Sequence, residues 1–370
     1  MTDGRHTHRG QRGAIAIVTA FLTFAFSHSA LADNWRGDGW HKHNSRAPFQ
    51  FALIGDTRYN DEGDVQFGPM RAEINAQRQL QWVVHVGDIL GGTPCSDELH
   101  AERLAEFQLF RMPLVYTPGD NEWTDCHYSF LGSYYPLERL NAVREIFFPE
   151  PGRTLGSRRM SVHTQADEPD YADYVENVLW VRGGIVFLTV HMVGSNNDLA
   201  PWNRDFGAGV FDPTDTVATP RADRIAEVTA RVAAGLAWID QAFELADAIH
   251  SPGVFIISHA NPRFESSPNE PYAEWVAAIQ KHAVTFYKPV VLAHGDTHTP
   301  RIDKPLTAPT VPVVPAPPNP ARVENFTRVE TFGFPDTHWI RVTVNPMDKE
   351  VFKFELMTVD ANRRQFVPIP

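Results

Sequence analysis

Five times along this chain a short apolar run stops on a carboxylate or an imidazole. The segments are Ala52-Leu-Ile-Gly-Asp56, Val83-Val-His-Val-Gly-Asp88, Val115-Tyr-Thr-Pro-Gly-Asp120, Val254-Phe-Ile-Ile-Ser-His259 and Val291-Leu-Ala-His-Gly-Asp296, the last followed by Thr297 and His298. Runs this short read as buried strands, and the longer amphipathic stretches between them read as helices, so the pattern is that of an α/β sheet flanked by helices. Open α/β sheets bind ligands at the carboxyl ends of their strands, which is where these polar residues fall. A single Gly-Asp carries no message, because Gly commonly follows a strand and Asp commonly caps the next helix. A series of five resists that explanation.

The same periodicity predicts strands at Phe49–Ile54, Trp82–Val86, Pro113–Tyr116, Asn177–Val181, Ile185–Val190, Gly253–Ile257 and Val290–Ala293, with Gly183-Gly184 as a hairpin turn. The clearest helix spans Asp223–Ile249, where Ile225, Val228, Val232, Leu236, Ile239, Phe243 and Ala246 form one apolar stripe. Residues 304–321 are too rich in proline for a helix or central strand and read as an extended surface excursion. Two strands at His338–Asn345 and Glu350–Val359 then complete the same sheet system, so residues 49–370 form a single domain.

The N-terminus reads as an export signal over residues 1–32. Arg5, Arg9 and Arg12 precede the apolar stretch Ala14 to Phe26, and small residues surround a cleavage point after Ala32. The stretch is short for a membrane span. This predicts a mature protein that starts near Asp33, is periplasmic or secreted, and has no membrane association after signal removal; residues 33–48 form a lead-in. The two cysteines, Cys95 and Cys126, each follow a Gly-Asp by a few residues. An oxidising compartment permits them to pair, and free thiols are the alternative. The formal charge of −12 argues against a nucleic-acid partner, whose phosphates call for Lys and Arg. It leaves room for a small anionic substrate met by a metal or a local arginine.

If Asp56, Asp88, Asp120 and Asp296 converge, their repulsion either raises their pKa values or calls for a cation. Two divalent ions meet that need. With His259 and His298 the set is mixed oxygen and nitrogen, which suits Mn, Fe, Zn or Mg without choosing among them. Asp88 is the natural bridging ligand. Such a pair supports hydrolysis at phosphorus by an acidified water, or hydroxide, held between the ions.

The ordered series Gly-Asp-x-x, Gly-Asp, Gly-Asp-Asn-Glu, His, Gly-Asp-x-His resembles the calcineurin-like metallophosphoesterase superfamily, whose usual series is D-x-H, G-D-x-x, G-N-H-[DE], H, G-H-x-H. The resemblance runs from Phe51 to about His298. It implies a four-layer α/β/β/α sandwich, a dinuclear metal centre and hydrolysis of a phosphate monoester or diester. Carried over residue by residue, it implies Asp56 and His298 on the first metal, Asp88 bridging, and Asp120, His259 and Asp296 on the second. Two positions depart from the pattern. Arg58 replaces the His of D-x-H and is expected to contact the substrate phosphate, with a plain salt bridge as the alternative. Asn121 replaces the His of G-N-H-[DE] and can donate a hydrogen bond but no proton. His191 and Asn197, beyond the strand Ile185–Val190, are further candidates, Asn197 for substrate. Trp123 and Tyr59 are candidates to line the pocket.

No G-x-S-x-G elbow, HExxH helix or GxxxxGK[ST] loop occurs, which disfavours serine hydrolases and P-loop enzymes. The rival reading is a metal- or ligand-binding protein on a degenerate phosphoesterase scaffold, without turnover. Oligomeric state is left open by the sequence.

Overall fold

The computed structural model describes residues 46–203, 211–265, 270–308 and 321–363. The expected signal, most of the lead-in and most of the proline-rich stretch lie outside the described residues. Two sheets carry the fold. The first has the order β12-β11-β1-β2-β3, from β1 (Phe49–Ile54), β2 (Leu80–His85), β3 (Leu114–Tyr116), β11 (Trp339–Val344) and β12 (Phe352–Met357). The second runs β4-β5-β6-β7-β8-β10-β9, from β4 (His163–Thr164), β5 (Val178–Arg182), β6 (Ile185–Thr189), β7 (Val254–Ile257), β8 (Val290–His294), β9 (Arg301–Asp303) and β10 (Phe326–Glu330). Within them β1, β2 and β3 are mutually parallel, as are β6, β7, β8 and β10.

Alternation along each strand sorts side chains into layers. On β1, Phe49, Phe51 and Leu53 join the core between the sheets, whereas Ala52 and Ile54 face the helices. On β6, Ile185 and Phe187 point to the same central core, and Val186 and Leu188 point outward. The central core is aromatic, with Phe51 stacked on Trp82 at 5.1 Å and Trp180 on Phe187 at 5.2 Å. Such pairs contribute about 0.5–1.5 kcal/mol each beyond their buried area. Helices α1 (Asp61–Ala76), α2 (Asp97–Gln108) and α3 (Pro136–Phe147) cover the first sheet through Phe67, Phe107 and Val143. Helices α4 (Ala222–Ala248) and α5 (Ala273–Phe286) cover the second through Trp238, Ile239 and Ile279. The result is a four-layer α/β/β/α sandwich. Among the described residues, no helix is long and apolar enough to cross a membrane.

The predicted strands and the long helix are present within a few residues of their expected ends. Gly183 and Gly184 make the hairpin turn with φ of 61° and 82°, values that favour glycine. The strands β4, β9 and β10 are additions. β10 lacks an apolar signature because Arg328 and Glu330 are buried within it and paired with Asp303 and Arg301. Ion pairing replaces hydrophobic alternation there, so periodicity does not reveal it.

Candidate metal centre

The parallel strands of both sheets deliver their carboxyl ends to one edge of the sandwich. Asp56 follows β1, Asp88 follows β2, Asp120 follows β3, His259 follows β7, and Asp296 and His298 follow β8. Cross-links between the loops draw them together: Asp56 N–H donates to Gly87 O, Thr57 N–H to Asp88 O, and Gly295 N–H to His259 O. The glycines of the Gly-Asp pairs have a packing reason. A Cβ on Gly119 would overlap the Asp88 carboxylate, and one on Gly295 would overlap that of Asp56. Asp56, Asp88, Asp296 and His298 themselves sit at φ between 51° and 79°. Left-handed backbone at non-glycine residues is a cost that clusters at functional sites.

Two ligand sets result. Asp56, Asp88 and His259 form one, and Asp120, His259 and Asp296 form the other, with each set's ligand atoms within 4.8 Å of one another. His259 Nδ1 lies 2.9 Å from Val86 O, which fixes the proton on that nitrogen and aims Nε2 into the cluster. Nε2 is buried without a hydrogen-bond partner, 3.3 Å from Asp88 Oδ1 and 3.4 Å from Asp120 Oδ1. An orphaned imidazole nitrogen between carboxylates is the geometry a divalent cation fits, and the oxygen and nitrogen donor set suits one.

The electrostatics ask for positive charge. Burial, with help from Asp296 and Glu330 and against His259, pushes the Asp56 carboxyl up to about 8. Burial and the neighbouring Asp120, Glu122 and Asp56 raise Asp88 well above the carboxylate range. Burial and Asp120 lift Asp296 to about 6. Asp120 goes the other way: burial opposes it, but the adjacent His259 imidazole holds it low. His259 is itself raised well above the usual imidazole range, since Asp88 and Asp120 outweigh its burial. Without a cation, a proton on His259 stands in as the counter-charge.

Supporting contacts fix the ligands. Asp56 Oδ1 accepts the Asp296 N–H at 2.8 Å, and Asp296 Oδ2 accepts the Asn261 N–H at 3.0 Å. Glu122, the acid of Gly-Asp-Asn-Glu, is buried and accepts from Ile89 N–H, Tyr116 OH and Gly119 N–H, tying the loops after β2 and β3. Cys95 and Cys126 are joined by a disulfide that links the same two loops.

The other candidates are placed differently. His298 Nδ1 lies 2.6 Å from Phe334 O, and its Nε2 is 3.6 Å from Asp56 Oδ1, with the Tyr59 hydroxyl 3.0 Å away. Asn121 lines the cavity mouth, its backbone N–H donating to Asp88 Oδ1 and its side-chain amide to Leu90 O. Arg58 departs from expectation. Its guanidinium pairs with Asp64 and Glu102 at 2.8 Å each and lies over the Phe67 ring, outside the cavity lining. This is the salt-bridge alternative; on left-handed backbone with φ of 64°, the side chain reaches Asp64 of α1 and Glu102 of α2. Asn197 is also corrected: it is fully buried, bonded to Arg231 and Pro271 O, and does not line the cavity. Trp123 is buried against His191, and His191 is bonded to Glu176 at 2.7 Å, a structural network.

Two residues gained weight from the structure. Tyr59 donates its hydroxyl to Asp88 Oδ2 at 2.6 Å, which places a phenol inside the cluster. Asp125 lines the cavity and accepts from Ser195 Oγ at 2.6 Å, while burial and Asp120 push its carboxyl well above the usual range. Nothing marks Asp125 in the sequence beyond its nearness to Asp120.

No model of a protein family matches the chain, and neither does any curated protein sequence. Similar solved structures exist at low identity. A dimetal phosphatase from Danio rerio is 12% identical with a TM-score of 0.45, covering 84% of this chain and 99% of that one. GAP50, the anchor in the inner membrane complex of Plasmodium, is 9% identical with a TM-score of 0.43, covering 84% and 89%. A 5'-nucleotidase from Candida albicans is 13% identical with a TM-score of 0.41, covering 85% of this chain and 52% of that one.

Proposed function

We propose that this chain hydrolyses phosphate esters at a dinuclear metal centre, and does so outside the cytoplasm. The observation that carries the reading is the pair of buried aspartate sets meeting at His259 Nε2. One imidazole nitrogen serves one ion at a time. Asp120, His259 and Asp296 would therefore hold one ion, and Asp56 and Asp88 would hold the other with His298 as the adjacent imidazole. When bound, the ions supply a nucleophile from water at neutral pH and neutralise charge on phosphorus oxygens. The protein's own part is to bring the aspartates together, to aim His259 through Val86, and to place Asn121 in the cavity lining as a neutral donor. Export is supported by the basic, apolar and small-residue order of residues 1–32.

Elemental analysis of purified protein, paired with nitrophenyl phosphate assays, tests the reading. Near two equivalents of transition metal and chelator-sensitive release of nitrophenol are expected. Tight metal without turnover on any phosphoester would instead establish the binding protein. Sequencing the N-terminus of the exported product is expected to begin at Asp33; retention in the cytoplasm would overturn the export assignment.

A further inference from the structure

Beside the cluster opens a cavity of about 350 Å³ whose lining is of two kinds. Asp88, Asp120, Asp125 and Asp296 make part of it acidic. Tyr128, Phe130 and Leu131 make another part aromatic and apolar. Tyr128 and Phe130 stack at 5.5 Å and 16°, and Phe130 is 47% exposed, so its ring is open to a ligand.

This aromatic part is braced to the motif loops. Tyr128 N–H donates to Asp125 O, Cys95 N–H donates to Leu131 O, and Cys126 is bonded to Cys95. A rigid aromatic surface so placed loses little entropy when a flat group lies on it.

Charge restricts what the acidic part of the lining accepts. Two divalent ions carry four positive charges, and Asp56, Asp88, Asp120 and Asp296 cancel them when ionised. Among the described residues, none that lines the cavity is a lysine or an arginine. Arg58 is taken up by Asp64 and Glu102, and Arg263, an exposed residue, acts on Asp296 only through space. The loaded centre is then left with no net positive charge, so the second negative charge of a phosphate monoester is repelled by the carboxylates without net compensation from the ions. A singly charged diester avoids that repulsion, and one extra like charge at contact distance costs at least about tenfold in affinity.

We propose that the site is built for a singly charged phosphodiester bearing a flat apolar arm, with the phosphate at the metal centre and the arm against Tyr128 and Phe130. This deepens, and rests on, the dinuclear reading above.

The test is calorimetry on metal-loaded protein with non-hydrolysable anions. Diphenylphosphinate is singly charged with flat arms, dimethylphosphinate is singly charged without them, and phenylphosphonate above its second ionisation is doubly charged. Diphenylphosphinate is expected to bind at least about tenfold more tightly than either of the others. Phe130→Ala, at an exposed position, is expected to lose about five- to tenfold for diphenylphosphinate, with dimethylphosphinate binding and metal content unchanged. Equal or tighter binding of phenylphosphonate, indifference of diphenylphosphinate to Phe130→Ala, or no binding of any anion would overturn the proposal. Hydrolysis of bis(nitrophenyl) phosphate, measured in parallel, separates the two readings. The expected binding order without turnover removes the hydrolase and keeps this inference, turnover with the doubly charged anion preferred does the reverse, and a protein that retains no metal removes both.

Discussion

Asp56→Asn should change stability in opposite directions with and without metal. Asparagine tolerates the left-handed φ of 51°, and its Oδ1 can still accept the Asp296 N–H. The difference is charge. Burial raises the folded carboxyl from 3.8 to about 8, so between those values the folded chain keeps a proton that the unfolded chain has released. Stability then falls as pH rises through that window, because the native state binds more protons than the unfolded one. At about pH 7 the accumulated cost is roughly 4 kcal/mol, an upper figure that water entry and the positive charge on His259 reduce; at about pH 4 it is near zero. Chelator-treated Asp56→Asn is accordingly expected to unfold at higher urea than chelator-treated wild type at neutral pH, with the gap closing toward pH 4. With metal at about a ten-thousandfold excess over the dissociation constant the order reverses, since wild type gains about 5.5 kcal/mol, more than that cost, and the variant, which has lost a ligand, gains little. Urea midpoints in four conditions, with and without chelator at both pH values, decide it. A chelated variant less stable than chelated wild type at neutral pH would refute the claim that the cluster is short of positive charge.

Three further outcomes follow from the same geometry. Asp88→Asn is expected to leave circular dichroism unchanged while metal content falls to one equivalent or fewer; wild-type content would remove the bridging role. Arg58→Met should cost about 1–3 kcal/mol, less than a fully buried pair because Glu102 and Asp64 reach solvent, with KM within about twofold of wild type. A tenfold rise in KM at unchanged stability would return Arg58 to the substrate. Replacing Cys95 and Cys126 together by Ser opens a loop of sequence separation 31 and is expected to cost about 3–4 kcal/mol by chain entropy, read as a lower urea midpoint. A loss below about 1 kcal/mol would mean that the two loops hold without their clamp.

The sequence by itself determined nine of the twelve described strands and the five strand ends. Phe49, Phe51 and Leu53 alternate with Ala52 and Ile54, and that alternation is burial written directly into the chain. It also carried Asp56, Asp88, Asp120, His259 and Asp296 to one edge, because parallel strands share a direction. Tertiary structure decided where each side chain beyond those ends would point. Arg58 and Tyr59 are neighbours, yet one pairs with Asp64 and Glu102 and the other places its hydroxyl on Asp88. Asn197 is claimed by Arg231 from α4, and Asp125 reaches the cavity through a loop held by the disulfide. Past the strand ends the backbone enters left-handed conformations at Asp56, Arg58, Asp88, Asp296 and His298, so the two-residue period that made the strands legible no longer tells which way a side chain faces.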